Sequence, residues 1–141
     1  INDTINELYR WRKTTNGWGF SSQDSTNVLA TAAVVEALYP YRGWNFGSAG
    51  TIQSWINGGV TWLRGQQQAS GGWGYVNDSG AVVVTPAHSG VATWALYQVA
   101  SAPANTTTAK SYLLGAQQAD GSWGGSAYTT ALATRALSRL P

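Results

Sequence analysis

Apolar residues recur along most of this chain with the spacing of α-helices, and glycine-rich turns interrupt them. The pattern predicts six helices, at about residues 1–13, 26–39, 51–68, 86–100, 107–118 and 128–140. The second is rich in Ala and Val and apolar nearly all round, which is typical of a helix buried on most sides. Three consecutive valines at 82–84 have β-propensity and predict a short extended segment before the fourth helix.

One sequence phrase occurs three times. It has a Leu ten residues before a Trp and a Gly directly after it, and the three tryptophans are Trp18, Trp73 and Trp123. Gln67 and Gln117 stand six residues before the second and third tryptophans. The steps between tryptophans are 55 and 50 residues (73 − 18 and 123 − 73). A period near 50 with two helical segments per unit predicts an array of helix hairpins.

Each phrase leads into a second shared segment, which begins with a hydroxyl residue and ends in Ala-Leu. The segment spans residues 31–38, 89–96 and 130–137. The predicted fold is therefore all-α, with three hairpins at about 1–39, 51–100 and 106–140 of a single domain of residues 1–141. Because a residue type that recurs with the unit serves the scaffold, we expect the three tryptophans and two glutamines to hold the hairpins together.

The Leu…Gln-x-x-Asp-Gly-x-Trp phrase, followed by Thr-Ala…Ala-Leu, resembles the QW-type repeat of the terpenoid cyclase and protein prenyltransferase superfamily. That superfamily has an α/α-toroid fold and includes squalene–hopene cyclases. The resemblance covers nearly the whole chain and implies a partial toroid, since the family's complete toroid is about twice this size. The edges of such an arc would expose apolar helix faces. They would meet the remainder of a parent chain or a second copy, or the arc would cap its own edges.

The resemblance also implies where an enzyme of this superfamily would carry its chemistry. Class II cyclases use an Asp-rich stretch at the start of an inner helix, and the matching stretch, residues 21–27, has a single carboxylate, Asp24. Prenyltransferases hold zinc with Asp, Cys and His, whereas this chain has no Cys and one His, and a zinc site needs three or four protein ligands. We therefore expect no catalytic residues, no metal and no cofactor.

Composition indicates which surface, cellular location and partners to expect for this protein. Charged residues make up 10% of the chain, against about 25% in ordinary globular proteins, so Ser, Thr, Asn, Gln and Gly must cover much of the surface. We expect a bacterial protein that is secreted or displayed at the cell surface. The absence of Met predicts a domain excised from a longer protein. With a net charge of +2, no long basic stripe and no membrane-length apolar run, neither a nucleic-acid partner nor a membrane span is expected.

Two features stand outside the recurring pattern and are candidates for ligand binding. Tyr41, Trp44 and Phe46 lie in the longest aromatic loop, which either covers the edge between the second and third helices or offers a platform to sugar rings or isoprenoid chains. His88 lies at the predicted start of an inner helix. It either caps that helix or acts at the mouth of the arc together with Asp78 or Asp24.

The leading hypothesis for function is a non-catalytic ligand-binding or protein-assembly module of a larger protein, with a glycan, an isoprenoid or a peptide as its ligand. The alternative is a fragment of a terpenoid cyclase- or prenyltransferase-like enzyme that supplies an aromatic cavity wall, since aromatic faces stabilise carbocations by cation–π attraction. A carbohydrate hydrolase ranks last. It needs two facing carboxylates, and only Asp24, Asp78 and Asp120 lie in the loops at the recurring tryptophans.

Overall fold

The computed structural model describes residues 1–100 and 103–140. This part of the chain contains six α-helices: α1 (Asn2–Arg10), α2 (Val28–Leu38), α3 (Ile52–Gly65), α4 (Pro86–Ala100), α5 (Pro103–Gly115) and α6 (Ala127–Leu137). Between α3 and α4 the chain forms a two-stranded antiparallel hairpin of β1 (Gly74–Val76) and β2 (Val82–Val84). The predicted mostly helical character is confirmed, and β2 is the extended segment predicted at residues 82–84. Its pairing with β1 adds a small sheet to the predicted all-α fold.

The largest difference from the predicted helix boundaries is at α5. This helix begins at Pro103, four residues before the predicted start (107 − 103), because proline is well suited to the first turn of a helix. The hydroxyls of Thr106 and Thr107 both donate to the Pro103 carbonyl oxygen. Residues 103–105 of the predicted linker 101–105 are therefore helical, while residues 101 and 102 lie outside the described residues.

The helices form two layers. In one layer α2, α4 and α6 lie side by side with α4 in the middle; in the other, α3 packs against α2 and α4, and α5 packs against α4 and α6. The backbones of α4 and α6 come closest at Gly90, where a Cβ atom would lie 2.8 Å from the Leu132 carbonyl oxygen. Among the described helices, none is long and apolar enough to cross a lipid bilayer.

Apolar side chains of the two layers meet in two cores. The larger core joins α1–α4 and contains Trp18, Trp55 and Trp73, all almost fully buried. The smaller core joins α5 and α6 around Leu113 and Trp123. Each core thus includes at least one tryptophan from the turns that connect one layer to the other.

The turns at residues 11–18, 66–73 and 116–123, called the tryptophan turns below, share one set of hydrogen bonds. In each, the indole N–H donates to the carbonyl oxygen ten residues earlier, and the backbone N–H of the tryptophan donates to a hydroxyl in the first turn of the next helix. The indole pairs are Trp18 with Leu8, Trp73 with Leu63 and Trp123 with Leu113, each at 2.7 Å. The hydroxyls belong to Thr31, Ser89 and Thr130, at 2.9, 2.9 and 3.1 Å.

Glutamine side chains close the second and third tryptophan turns. Gln67 Nε2 donates to the Gly71 carbonyl oxygen at 2.7 Å, and Gln117 Nε2 donates to that of Gly121 at 2.9 Å. Both glycines have a positive φ, +90° and +83°, a conformation that residues with a side chain rarely adopt. The glutamine amides therefore bridge the tightest part of each turn, where the chain reverses.

Replacing Trp73 by Phe should lower the free energy of unfolding by about 3 kcal/mol, because the buried bond to the Leu63 carbonyl is lost and the smaller ring leaves a cavity. Trp11→Phe is the matched control, since Trp11 is 41% exposed and the same change there should have little effect. Urea denaturation followed by circular dichroism measures both. Equal effects of the two changes would show that the Trp73 bond is not a main support of the fold.

Replacing Gly90 by Ala should destabilise the protein by about 1–3 kcal/mol, because the added methyl group would push the α4 and α6 backbones apart. Gly115→Ala is the control. Its Cβ would meet nothing within 4 Å, so that change should be neutral or stabilise by up to about 1 kcal/mol through the unfolded state. The thermal midpoints of the two variants would then move in opposite directions or differ clearly in size; equal midpoints would contradict the close helix contact.

Candidate functional site

A cleft of about 230 Å³ opens beside the starts of α2 and α4 and is called the α2–α4 cleft below. Four parts of the chain form its walls: the loop into α2, the last turns of α3, strand β1 and the first turn of α4. The lining residues are 25–28, Trp62, Gln66, Gly74–Val76 and His88. The cleft thus lies where the chain enters α2 and α4, after the first and second tryptophan turns.

Helix caps and a tight strand contact hold these walls in place. Asn27 Oδ1 accepts from the Ala30 N–H at 2.8 Å and fixes the start of α2, and the Thr85 hydroxyl accepts from the His88 N–H at 3.2 Å at the start of α4. Side chains of this type at helix starts satisfy N–H groups that have no partner within the helix. In β1, a Cβ at Gly74 would collide with the backbone of β2, so glycine is needed for the two strands to pair here.

His88 is the cleft residue whose side chain can change charge near neutral pH. Its Nδ1 lies 2.8 Å from the Thr85 hydroxyl oxygen, and its ring centroid lies 5.6 Å from that of Tyr75. Burial lowers the pKa of His88 below its ordinary value of 6.5, so the ring is neutral at pH 7. In the neutral ring Nδ1 either accepts from the Thr85 hydroxyl, which leaves Nε2 a donor, or donates to it, which leaves Nε2 an acceptor.

The lining of the cleft carries no formal charge once His88 is neutral, because it contains no Asp, Glu, Lys or Arg. It combines the aromatic rings of Trp62 and Tyr75 with hydroxyl and amide groups. Ligand sites of this composition use aromatic faces for contact area and a few polar groups for orientation. The cleft is smaller than the roughly 300 Å³ at which drug-sized sites begin, so it suits one small ring or a short chain segment.

The two predicted acidic partners of His88 lie outside the lining of the cleft. Asp24 is exposed in the loop that precedes residue 25, and Asp78 is exposed in the turn between β1 and β2. Neither residue lines the α2–α4 cleft. Within residues 1–100 and 103–140, no group of three His, Asp or Glu side chains is placed to hold a metal ion.

The aromatic loop forms a separate surface. Tyr41, Trp44 and Phe46 follow one another with ring centroids 5.2 and 6.5 Å apart, and the row continues through Trp55 to Tyr9 with distances of 5.6 and 4.8 Å. Tyr41 and Phe46 are half-buried against the larger core, whereas Trp44 is 40% exposed. The loop therefore covers the core with most of its aromatic area and presents one tryptophan face to solvent, away from the cleft lining.

The chain matches no protein-family model, no curated protein and no solved structure. The similarity to the repeats of terpenoid cyclases and protein prenyltransferases therefore stays a prediction that rests on the residues quoted for it.

A group that sequence analysis missed lies across α2, α4 and α6. Arg135 Nη2 donates to Glu36 Oε2 at 2.8 Å, and the guanidinium carbon lies 4.2 Å from the centroid of the Trp94 ring. Burial raises the pKa of Glu36 above its ordinary value of 4.5, although attraction to Arg135 and the neighbouring Trp94 indole N–H lower it. The indole N–H is buried without a hydrogen bond of normal geometry, so its effect on Glu36 is the weaker one.

These three residues have a signal in the sequence. Each stands five residues after the hydroxyl that accepts its tryptophan's N–H (36 − 31, 94 − 89 and 135 − 130). When the three helices are aligned at these hydroxyls, Glu36, Trp94 and Arg135 occupy equivalent positions and lie side by side across the layer. The Arg135 side chain then lies over the face of the Trp94 ring and contacts Glu36 directly.

Wild-type protein should lose stability relative to His88→Gln as the pH falls from about 7 to about 5. The unfolded chain, with a histidine pKa near 6.5, binds a proton before the folded chain does, so the contribution of His88 is complete above about pH 6.5 and is lost as the pH falls through the lower folded value. His88 is the sole histidine, and Glu36 is present in both proteins. Urea unfolding across this range measures the difference, and a pH-independent difference would contradict the lowered pKa.

Proposed function

We propose that this chain is a non-catalytic ligand-binding module and that the α2–α4 cleft holds a single ring of a neutral glycan. The observation that carries the proposal is the lining of the cleft: two aromatic rings beside hydroxyl, amide and neutral imidazole groups, with no formal charge. Trp62 and Tyr75 offer flat apolar area, and His88 Nε2 offers one hydrogen-bonding nitrogen, a donor or an acceptor according to the tautomer. A sugar ring has the complementary chemistry, with apolar faces and hydroxyls around its edge.

The other two ligand classes expected from the sequence fit this cleft less well. An isoprenoid diphosphate needs cationic groups or clustered N–H donors for its phosphates, and no Lys or Arg lines the cleft. A peptide usually binds along a longer groove or a free strand edge, whereas the walls here surround a volume of about 230 Å³. A neutral ring with hydroxyl groups is the ligand that uses both the aromatic and the polar walls.

The proposal includes an architecture of three related hairpins that form an arc of an α/α toroid, of the kind found in terpenoid cyclases and protein prenyltransferases. The shared hydrogen bonds of the three tryptophan turns support it, as does the layer in which α2, α4 and α6 lie side by side. In this architecture the exposed edges of the arc meet the remainder of a parent chain or a second copy, and the module assembles there.

Tyr75→Ala should weaken binding of a neutral saccharide by about tenfold, because an aromatic stacking contact contributes about 0.5–1.5 kcal/mol beyond the area that it buries and tenfold corresponds to about 1.4 kcal/mol. His88→Gln should weaken it by a smaller factor, since a polar group remains. Tyr128→Ala is the control, because Tyr128 is 68% exposed on α6 and lies outside the cleft lining. A panel of neutral mono- and oligosaccharides, screened by thermal shift and then by titration of tryptophan fluorescence, supplies the measurement.

Two results would contradict the proposed function. One is saccharide binding that Tyr75→Ala and Tyr128→Ala reduce equally, which would place the ligand elsewhere. The other is turnover of a polyprenyl substrate, which would favour the alternative of an enzyme fragment. One observation supports that alternative: the Trp94 ring already holds the Arg135 guanidinium against its face, and a cavity wall that stabilises carbocations uses aromatic faces in the same way.

A further inference from the structure

Strand β1 meets the α2–α4 cleft along its edge. All three of its residues, 74–76, line the cleft, whereas no residue of β2 does. Side chains alternate between the two faces of a strand, so a wall made of one face would use only every second residue. Gly74 has no side chain and can line the cleft only with its backbone. The cleft therefore faces the edge of β1 that points away from β2.

Hydrogen bonds at the two ends of the hairpin orient the backbone of this edge. The Asn77 N–H donates across the hairpin at 2.9 Å, and the N–H and C=O of a trans peptide point in opposite directions, so the Val76 C=O points away from β2. At the other end, the Trp73 carbonyl oxygen accepts across the hairpin from the Thr85 N–H at 3.0 Å. The Gly74 N–H, on the opposite side of that peptide, therefore also points away from β2.

The middle of the strand adds two more groups to the edge. Tyr75 pairs with Val83, midway between the two bonds at the ends, and hydrogen-bonded pairs alternate with unbonded pairs along an antiparallel ladder. Tyr75 therefore uses its own N–H and C=O for β2, while the Gly74 C=O and the Val76 N–H point away from β2, towards the cleft. Within the described part of the chain, none of the four edge groups of Gly74 and Val76 has a hydrogen-bond partner.

Several other polar atoms of the cleft are already bonded within the protein. Asn27 Oδ1 and His88 Nδ1 are bonded at the helix starts, and the Thr26 hydroxyl lies 2.5 Å from that of Thr15. The Gln66 side-chain amide forms no hydrogen bond within residues 1–100 and 103–140. A ligand in the cleft can therefore bond the two donors and two acceptors of the β1 edge as well as a free amide.

The alternation of donors and acceptors along this edge matches neighbouring hydroxyl groups. A hydroxyl both donates and accepts. Of two neighbouring hydroxyls on a sugar ring, one can donate to a C=O of the edge while the other accepts from the adjacent N–H. These backbone groups carry no charge, in keeping with the rest of the lining, and their directions are fixed by the pairing of β1 with β2.

A strand edge can also pair with an extended peptide, but the dimensions of this edge favour a ring. β1 has three residues, and only two of them turn their backbone groups to the cleft, whereas an added strand gains its affinity from a longer row of main-chain bonds. The walls from α2, α3 and α4 also close the space to about 230 Å³. A ring with two neighbouring hydroxyls satisfies both limits.

We propose that the edge groups of Gly74 and Val76 bind two neighbouring hydroxyls of the sugar ring and select the ring by the arrangement of those hydroxyls. The inference rests on the proposed function, because it places the ring in the α2–α4 cleft against Tyr75. A ring whose hydroxyls point in other directions leaves an edge group without a partner, which costs affinity. The specificity then lies in backbone groups, which no side-chain motif of the sequence indicates.

Val76→Pro removes the Val76 N–H and leaves the bonds between the strands in place, because proline is tolerated where the N–H points away from the sheet. The probes are the methyl pyranosides of glucose, mannose and galactose. Val76→Pro should weaken the binding of those that wild type binds by about tenfold, because one ring hydroxyl loses its donor. Val82→Pro is the matched control, since Val82 pairs with Val76 but lies outside the cleft lining, and it should bind the probes as wild type does.

Deoxy forms of the probes separate a lost hydrogen bond from obstruction by the proline ring. Against wild type, removal of the hydroxyl that accepts from the Val76 N–H should weaken binding by about tenfold. Against Val76→Pro, the same removal should have no further effect, because the two changes remove one interaction. Titration of tryptophan fluorescence measures the affinities, and circular dichroism checks that both proline variants are folded.

Backbone amide spectra test the same contact without any substitution. When wild type is saturated with a probe that it binds, the Gly74 and Val76 N–H signals should shift and their hydrogens should exchange more slowly with water. The Val82 N–H points away from the cleft side of the hairpin and should not change.

Three outcomes would overturn the inference. They are a bound probe that leaves the Gly74 and Val76 amides unchanged, equal effects of the two proline variants, and protection of these amides by an extended uncharged peptide but by none of the probes. If Tyr75→Ala still weakens saccharide binding in the first two cases, the proposed function stands and only the role of the β1 edge is wrong. Binding of no saccharide at all contradicts the proposed function and this inference with it.

Discussion

The buried hydrogen bond from a tryptophan indole to a leucine carbonyl is the interaction on which the rest of this structure depends. A helix ends with four carbonyl groups that have no partner within it. In α1, α3 and α5 the accepting leucine stands two residues before the end of the helix, so the indole that returns ten residues later bonds one of these last carbonyls. The same tryptophan then uses its backbone N–H to bond a hydroxyl in the next helix. Each tryptophan thereby bonds the last turn of one helix and the first turn of the next, and so fixes the position of the second helix relative to the first.

The three tryptophan turns keep these bonds although their other residues differ. The first turn has Asn16 with a φ of +69° where the others have glycine, and asparagine is one of the few residues that adopt this conformation readily. In place of the glutamine amide, Arg12 Nη2 donates to Asn16 Oδ1 at 2.7 Å. The constraint is therefore on the conformation of the turn and on the two bonds of the tryptophan, and several side chains satisfy it.

Helical periodicity and turn chemistry allowed the mostly helical fold to be predicted, because these signals are local in the sequence. The roles of Trp73 and Gln67 were also expected from their spacing, and the structure places both side chains in hydrogen bonds within their turn. The cleft was not predicted beyond His88. Trp62 and Tyr75 come from different elements, and only the packing of α3 and the pairing of β1 with β2 bring them to the histidine. Asp24 and Asp78 were proposed as its partners from loop position alone, which does not specify where a side chain points.

The ion pair across the α2–α4–α6 layer links helices that are far apart in sequence, with Glu36 and Arg135 separated by 99 residues. The raised pKa of Glu36 means that the loss of hydration outweighs the attraction of Arg135, so the pair contributes little net stability. Its geometry has a different consequence. Because Arg135 must lie over Trp94 to reach Glu36, the contact is made only when α2 and α6 stand on opposite sides of α4 at matching levels. We interpret the pair as a constraint on the order and register of the three helices, which the indole bonds, each confined to one turn, do not set.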